Sequence, residues 1–188
     1  MSAPKLIVLT GKAGCGKSSV ANYLIRNYGF EPVKFASVLK DMLYAMGLNY
    51  DHIEGELKEQ PLDILGGKTP RYAMQTLGTE WGRDLIAKDL WVNIWKTRAT
   101  KLLESGHSVV TDDCRFENEL TAARDIMGLI LEVKRPGSID ITESNHSSEG
   151  GVSYSDGCIV NSGSISELEK HTDYMIFKGG SFIGKEWL

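Results

Sequence analysis

The sequence predicts an α/β fold, a parallel sheet of five strands covered on both faces by helices, and three observations carry that expectation. First, short apolar runs such as Leu6-Ile7-Val8-Leu9 and Leu129-Ile130-Leu131 alternate with stretches whose apolar residues recur at helical spacing. Second, these runs are continuously apolar, as strands covered on both faces must be. Third, the first run leads directly into Gly11-Lys12-Ala13-Gly14-Cys15-Gly16-Lys17-Ser18, which fits G-x-x-x-x-G-K-[ST]. Val20, Ala21, Leu24 and Ile25 follow at helical spacing, so the motif sits between a strand and a helix.

Taken in order, Pro32-Val33-Lys34-Phe35-Ala36 reads as the second strand. Val38, Leu39, Met42 and Met46 then mark a helix that carries Lys40 and Asp41. Residues 47–70 have weak periodicity and read as a loop-rich insertion. Thr69-Pro70 has the chemistry of a helix start: a hydroxyl cap, then a residue whose missing N–H is no loss at that position. Met74, Leu77, Trp81 and Leu85 continue as one apolar stripe, and a further helix from about Asp89 to Glu104 repeats the pattern at Val92, Trp95, Ala99 and Leu102. The third strand runs from His107 to Asp112, and Phe116, Leu120, Ala123 and Met127 give the next helix. Leu129–Val133 is the fourth strand. Residues 137–157 are rich in Ser and Gly and hold no Lys or Arg, a composition that predicts flexibility. Cys158-Ile159-Val160 is the fifth strand, and Asn161-Ser162-Gly163-Ser164 turns into a helix through Leu168. Periodicity does not place Tyr174-Met175-Ile176-Phe177.

A length of 188 residues suits a single domain, 1–188, with a full core, and 41% hydrophobic with 24% charged residues fits a globular chain. The net charge of −4 argues against a broad nucleic-acid-binding surface. No apolar run approaches a membrane span, and the N-terminus shows no secretory pattern. The 3 cysteines are scattered, which suits a reducing cytoplasm and offers neither a disulfide framework nor zinc spacing.

The chemistry begins in the glycine loop. Gly11, Gly14 and Gly16 let the backbone curl so that its N–H groups face phosphate oxygens, with the dipole of the following helix behind them. Lys12, Ala13, Cys15 and Ser19 complete this expected ATP-binding element. Lys17 reaches the β- and γ-phosphates, and the Ser18 hydroxyl is suited to Mg²⁺. Asp112 and Asp113 end a strand, where a carboxylate holds Mg²⁺ or orients an incoming hydroxyl. Alternation sends one of the two toward the nucleotide, and a helix cap fits the other. Arg115 is a candidate for a substrate phosphate, or for pairing with Glu119 one helical turn on. Gln75, Thr79, Trp81, Trp91, Asn93, Arg71 and Arg83 supply amides, a hydroxyl, aromatic faces and guanidinium forks for a nucleotide pocket. The alternative is that the tryptophans are core. Carboxyl ends of parallel strands gather ligands, so the glycine loop, residues 112–115, Arg135 and residues 161–163 are expected to converge. Asn161 and Gly163 are the candidates for the donor adenine.

Several runs carry a resemblance. The glycine loop, Ala36-x-x-Leu39-Lys40, Thr69-Pro70-Arg71, Gln75-x-x-Gly78-Thr79-Glu80-Trp81-Gly82-Arg83, Trp91, and Asp113-x-Arg115-Phe116-x-Asn118-Glu119 are similar to the deoxynucleoside monophosphate kinases of tailed bacteriophages. The resemblance spans residues 5 to about 170, and its two long runs are far more specific than the loop. It implies a three-layer P-loop NTPase fold with a helical substrate-binding insertion, about 47–104, and a lid, about 137–157. It implies ATP- and Mg²⁺-dependent phosphorylation of deoxynucleoside monophosphates for DNA precursor synthesis. Lys40, Arg71, Gly78, Thr79, Trp91, Asn93, Asp113, Arg115 and Glu119 would then line the acceptor site, with Lys17, Asp113, Arg115 and Arg135 at the reacting phosphates. The presumed lid lacks the arginine that many monophosphate kinases place there. Expected partners are small molecules, with no membrane and no direct nucleic acid; a homodimer is left open. The expected compartment is the cytoplasm of an infected bacterium. The rivals are a kinase of the dephospho-coenzyme A type and an ATP-binding switch that transfers nothing.

Overall fold

A computed structural model of the chain describes residues 4–137 and 154–177. Two compact units emerge, residues 35–95 and the remainder. The strands are β1 (Leu6–Thr10), β2 (Phe30–Pro32), β3 (Ser108–Thr111), β4 (Leu129–Lys134) and β5 (Gly157–Val160). The helices are α1 (Lys17–Tyr28), α2 (Ser37–Ala45), α3 (Tyr50–Ile53), α4 (Pro70–Thr76), α5 (Leu90–Glu104), α6 (Glu117–Asp125) and α7 (Ile165–Phe177).

The larger unit is built on one parallel sheet in the order β2-β3-β1-β4-β5. All of β1 is buried, with Val8 opposite Thr111 on one side and Ile130 on the other. Period-two alternation divides the core. Ile7, Leu9, Val110, Leu131, Val133 and Ile159 share one cluster with Val20 and Leu24 of α1 and Leu168 and Ile176 of α7. On the other face, Leu6 meets Gly128 just after α6, and α6 packs against β4. The five-stranded parallel sheet is the one the apolar runs predict.

The smaller unit holds α2, α3, two 3₁₀ turns (Glu56–Glu59 and Asp63–Leu65), α4, a π-helix (Leu77–Ile86) and the first turns of α5. Its core is Leu39, Leu43, Leu48, Ile53 and Trp91. The Trp95 ring stacks on Phe35 at 4.4 Å. Thr69 caps α4 as expected, its hydroxyl accepting the Tyr72 N–H at 3.1 Å, with Pro70 at the first position.

Five expectations change. The second strand lies earlier and is shorter: β2 closes its ladder at Phe30–Pro32, Val33 still donates to the Val110 carbonyl, and the chain then turns into α2. Residues 47–70 are short helical turns rather than loop, tied by a bridge between Leu62 and Lys68. The apolar stripe fails after Leu77, because π winding adds about one residue per turn and rotates later positions off the core face. Trp81 is 38% and Leu85 76% exposed. Met127 does not continue the α6 stripe; α6 stops at Asp125 and Met127 stands exposed in the left-handed region at φ 59. The unplaced Tyr174–Phe177 completes α7, where Met175 and Ile176 are buried. Residues 138–153, most of the stretch expected to be flexible, lie outside the described residues, as do His146, Ser148 and Glu149.

Candidate active site

β1 ends at Thr10 and the chain enters the glycine loop, which closes as α1 begins at Lys17. Gly11 and Gly16 have φ 129 and 111, values that L side chains rarely adopt. A Cβ on Gly11 would run into the Val133 carbonyl, and one on Gly16 would lie 2.6 Å from the Asn161 amide. Cys15 is buried in the core and acts as filler. The Lys17 ammonium folds over the loop, donating to the carbonyls of Gly11 at 2.7 Å and Lys12 at 2.8 Å. Burial lowers the Lys17 pKa; the nearby Arg115 adds to the lowering, while Cys15 and Asp112 oppose it.

Asp112 follows β3 directly and is 6% exposed. The Ser18 hydroxyl donates to its Oδ2 at 2.9 Å. Its Oδ1 is sealed from solvent and meets the Lys34 ammonium at 2.8 Å. A hydroxyl and a carboxylate set together at the mouth of the loop are oxygen donors of the kind a hard divalent cation takes. Lys34 was not a candidate in the sequence; a lysine two residues past a short edge strand carries no signal there.

Asp113 is half-buried and Arg115 exposed on the loop into α6. Glu119 is 2% exposed, and its Oε2 receives the backbone N–H groups of Arg115 at 2.8 Å and Phe116 at 3.2 Å. It thus shapes the turn that presents Arg115 rather than simply pairing with its guanidinium. Between Asp113 and Arg115, Cys114 is buried and its thiol pKa is pushed up by desolvation and by Glu119, which marks it as inert. Arg135 is exposed just past β4.

Asn161 follows β5, and its side-chain amide donates to the Cys15 carbonyl at 2.9 Å. The turn after the last strand therefore pins the glycine loop from behind. Gly163 is exposed beside Glu167, and Ser164 and Glu167 cap α7 reciprocally, with Glu167 accepting the Ser164 N–H at 2.7 Å. Asn161→Ala should cost about 1 kcal/mol of stability, and, if the glycine loop holds ATP as the sequence predicts, weaken that binding several-fold, because it leaves the loop carbonyl unpaired. Calorimetric titration with ATP beside thermal melts checks this; unchanged ATP affinity would remove Asn161 from the donor site.

In the smaller unit, Lys40 pairs with Glu54 at 2.5 Å and Arg71 with Glu59. Gln75 and Thr79 are half-buried on α4 and the π-helix, as is Arg83, and Asn93 is exposed on α5. Trp91 is 4% exposed, and its indole N–H donates to the Gly78 carbonyl at 2.8 Å. A Cβ on Gly82 would lie 2.6 Å from the same indole. The buried tryptophan thus explains Gly82, while a Cβ on Gly78 would lie 3.0 Å from the Leu39 side chain, and Trp91 packs in the core of its unit. Among the described residues no group of three or more His, Cys, Asp or Glu could hold a metal, and no helix is long and apolar enough to cross a membrane.

A parallel sheet with its glycine loop between β1 and α1, a lysine over that loop and a hydroxyl–carboxylate pair beside it define an α/β P-loop kinase. Comparison with known proteins narrows the class. The deoxynucleotide monophosphate kinase family profile matches residues 47–172. The chain is 33% identical to a putative deoxynucleotide monophosphate kinase of Acanthamoeba polyphaga mimivirus, covering 87% of this chain and 91% of that protein. It is 25% identical to the deoxynucleotide monophosphate kinase of Enterobacteria phage T4, covering 87% and 95%. Among solved structures, a putative kinase from Chloroflexus aurantiacus shares the fold, with a TM-score of 0.51 at 12% identity over 96% of this chain and 100% of that one. The chain belongs to the deoxynucleotide monophosphate kinase family and is a phosphotransferase that phosphorylates nucleotides.

Proposed function

We propose that this enzyme transfers the γ-phosphoryl group of ATP to deoxynucleoside monophosphates, giving the diphosphates and ADP for DNA precursor synthesis. The observation that carries the reading is the loop with Lys17 folded over it beside Ser18 and Asp112, in a chain of this family. The loop N–H groups and Lys17 cradle the donor phosphates, with residues 11–19 forming the donor site. Ser18 and Asp112 are the residues that would hold Mg²⁺, which when bound would supply neutralisation of the charge that develops in transfer. Asn161 keeps the loop in its binding shape, and Gly163 lies in the turn that borders the donor base.

For the acceptor, the smaller unit offers Lys40 and Arg71 to the monophosphate and Gln75, Gly78, Thr79, Arg83, Trp91 and Asn93 to the nucleoside, and the larger unit offers Arg115. Asp113 orients the attacking phosphate oxygen, Arg135 adds positive charge at the reacting phosphates, and Glu119 holds Arg115 in place. The chemistry needs no covalent intermediate: the chain aligns two anions and neutralises them. The work takes place in the cytoplasm of an infected cell, on small-molecule substrates.

One assay tests the reading: ADP release across deoxy- and ribonucleoside monophosphates. ADP should form only when a deoxynucleoside monophosphate is present; release without any acceptor would make the chain an ATPase or a switch. Neutralising Lys40, Arg71 or Arg115 should raise the KM for the monophosphate about tenfold or more while ATP affinity, measured without acceptor, barely changes. A parallel fall in ATP affinity would move that residue to the donor site or to the fold.

A further inference from the structure

Lys34 has no part in the reading above, yet it touches the proposed metal carboxylate. Its Nζ lies 2.8 Å from Oδ1 and 3.1 Å from Oδ2 of Asp112. Two bonds between neighbouring strand ends hold it there: Val33 donates to the Val110 carbonyl at 3.0 Å, and the Thr111 hydroxyl donates to the Val33 carbonyl at 2.6 Å. The backbone flanking Lys34 and Asp112 is thus fixed, while 38% of the lysine side chain is exposed. The carboxylate is 5% exposed.

A carboxylate this deeply buried needs a cation beside it. An ammonium in contact with both oxygens takes up contacts that a divalent ion would need, and it neutralises the charge that would draw that ion in. We propose that Lys34 is a tethered counter-ion for Asp112: it orients the carboxylate in the metal-free enzyme and competes with Mg²⁺ for it. The proposal rests on the reading of Ser18 and Asp112 as metal-binding residues. Metal entry displaces the ammonium, which swings toward solvent on its own stem. Lys34 is therefore a positioning residue that sets the Mg²⁺ concentration at which the donor site becomes competent, and it reacts with nothing.

Opposite signs from two substitutions separate this role from a structural one. Lys34→Met removes the competitor; Lys34→Arg replaces it with a guanidinium fork that grips a carboxylate with two parallel bonds. ADP affinity of the full-length protein is measured by calorimetry across a Mg²⁺ series, and the half-saturating Mg²⁺ concentration is read for each variant. In Lys34→Met it should fall by roughly fivefold, and in Lys34→Arg it should rise. Melts in EDTA should show Lys34→Met less stable than wild type, with added Mg²⁺ recovering most of the loss. Half-saturation that is unchanged in both variants, or that moves the same way in both, overturns the proposal even if stability falls. If ADP binding by the wild type ignores Mg²⁺ altogether, the metal reading of Asp112 falls and Lys34 as its competitor falls with it. A poorly folded Lys34→Met leaves Lys34→Arg decisive, since no rise there refutes competition.

Discussion

Lys17→Ala is expected to lower turnover by about a hundredfold or more, the loss of ~3 kcal/mol of preorganised charge at the transferred phosphoryl group. The ammonium already sits inside the glycine loop, bonded to the carbonyls of Gly11 and Lys12, so it needs little rearrangement to meet incoming phosphate. Burial raises its electrostatic leverage for the same reason that it lowers its pKa. The fold should survive, because the two loop carbonyls lie where water can reach them once the side chain is gone. Turnover at saturating ATP and monophosphate, read beside a melt, is the measurement. Near-wild-type turnover would remove the loop from the chemistry.

Trp91→Ala carries the largest expected effect on stability, about 3–5 kcal/mol, or a fall in Tm of roughly 10 °C for a chain of this size. The indole fills the core of the smaller unit against Leu39, Leu43, Leu48 and Ile53, and Gly82 lies so close that no side chain fits between them. Removal leaves a cavity and an unpaired Gly78 carbonyl. Trp91→Phe separates the two costs: the ring largely remains, the N–H bond does not, and the loss should be nearer 1 kcal/mol. If Trp91→Ala melts like wild type while the monophosphate KM rises sharply, the indole is a substrate contact and not the keystone of its unit.

Much of this was legible in the sequence because it is written in local code. The glycine loop has fixed residue types at fixed spacing; buried parallel strands are continuously apolar; Thr69-Pro70 is a cap by composition. What was not legible depends on contacts between distant residues or on non-standard winding. Nothing in Leu77–Ile86 announces a π-helix, so a stripe counted at 3.6 residues per turn put Trp81 and Leu85 on the wrong face. Pro32–Ala36 looks extended, but the ladder with β3 decides where β2 lies, and it ends at Pro32. Trp91 read as a pocket residue, and the burial of its indole against Gly78 and Gly82 shows only in the fold. The pin from Asn161 to Cys15 joins residues 146 apart in sequence, and Lys34 meets Asp112 across 78. Spacing cannot reveal either.

The place of β1 in the sheet bears on how the chain is made. It leaves the ribosome before the strands that flank it and is the central strand of the sheet, between β3 and β4, whose pairing residues begin at Val109 and Leu129. At a synthesis rate of about 5–20 residues per second, its apolar surface waits of the order of ten seconds for its first partner. The glycine loop is completed later still, because the amide that pins it arrives with Asn161. The nascent chain therefore carries a sticky, unsatisfied strand until β3 and β4 are made, and the pin on the glycine loop comes only after β5. A ribosome-bound fragment that stops before β5 should have most of a sheet and no settled nucleotide loop.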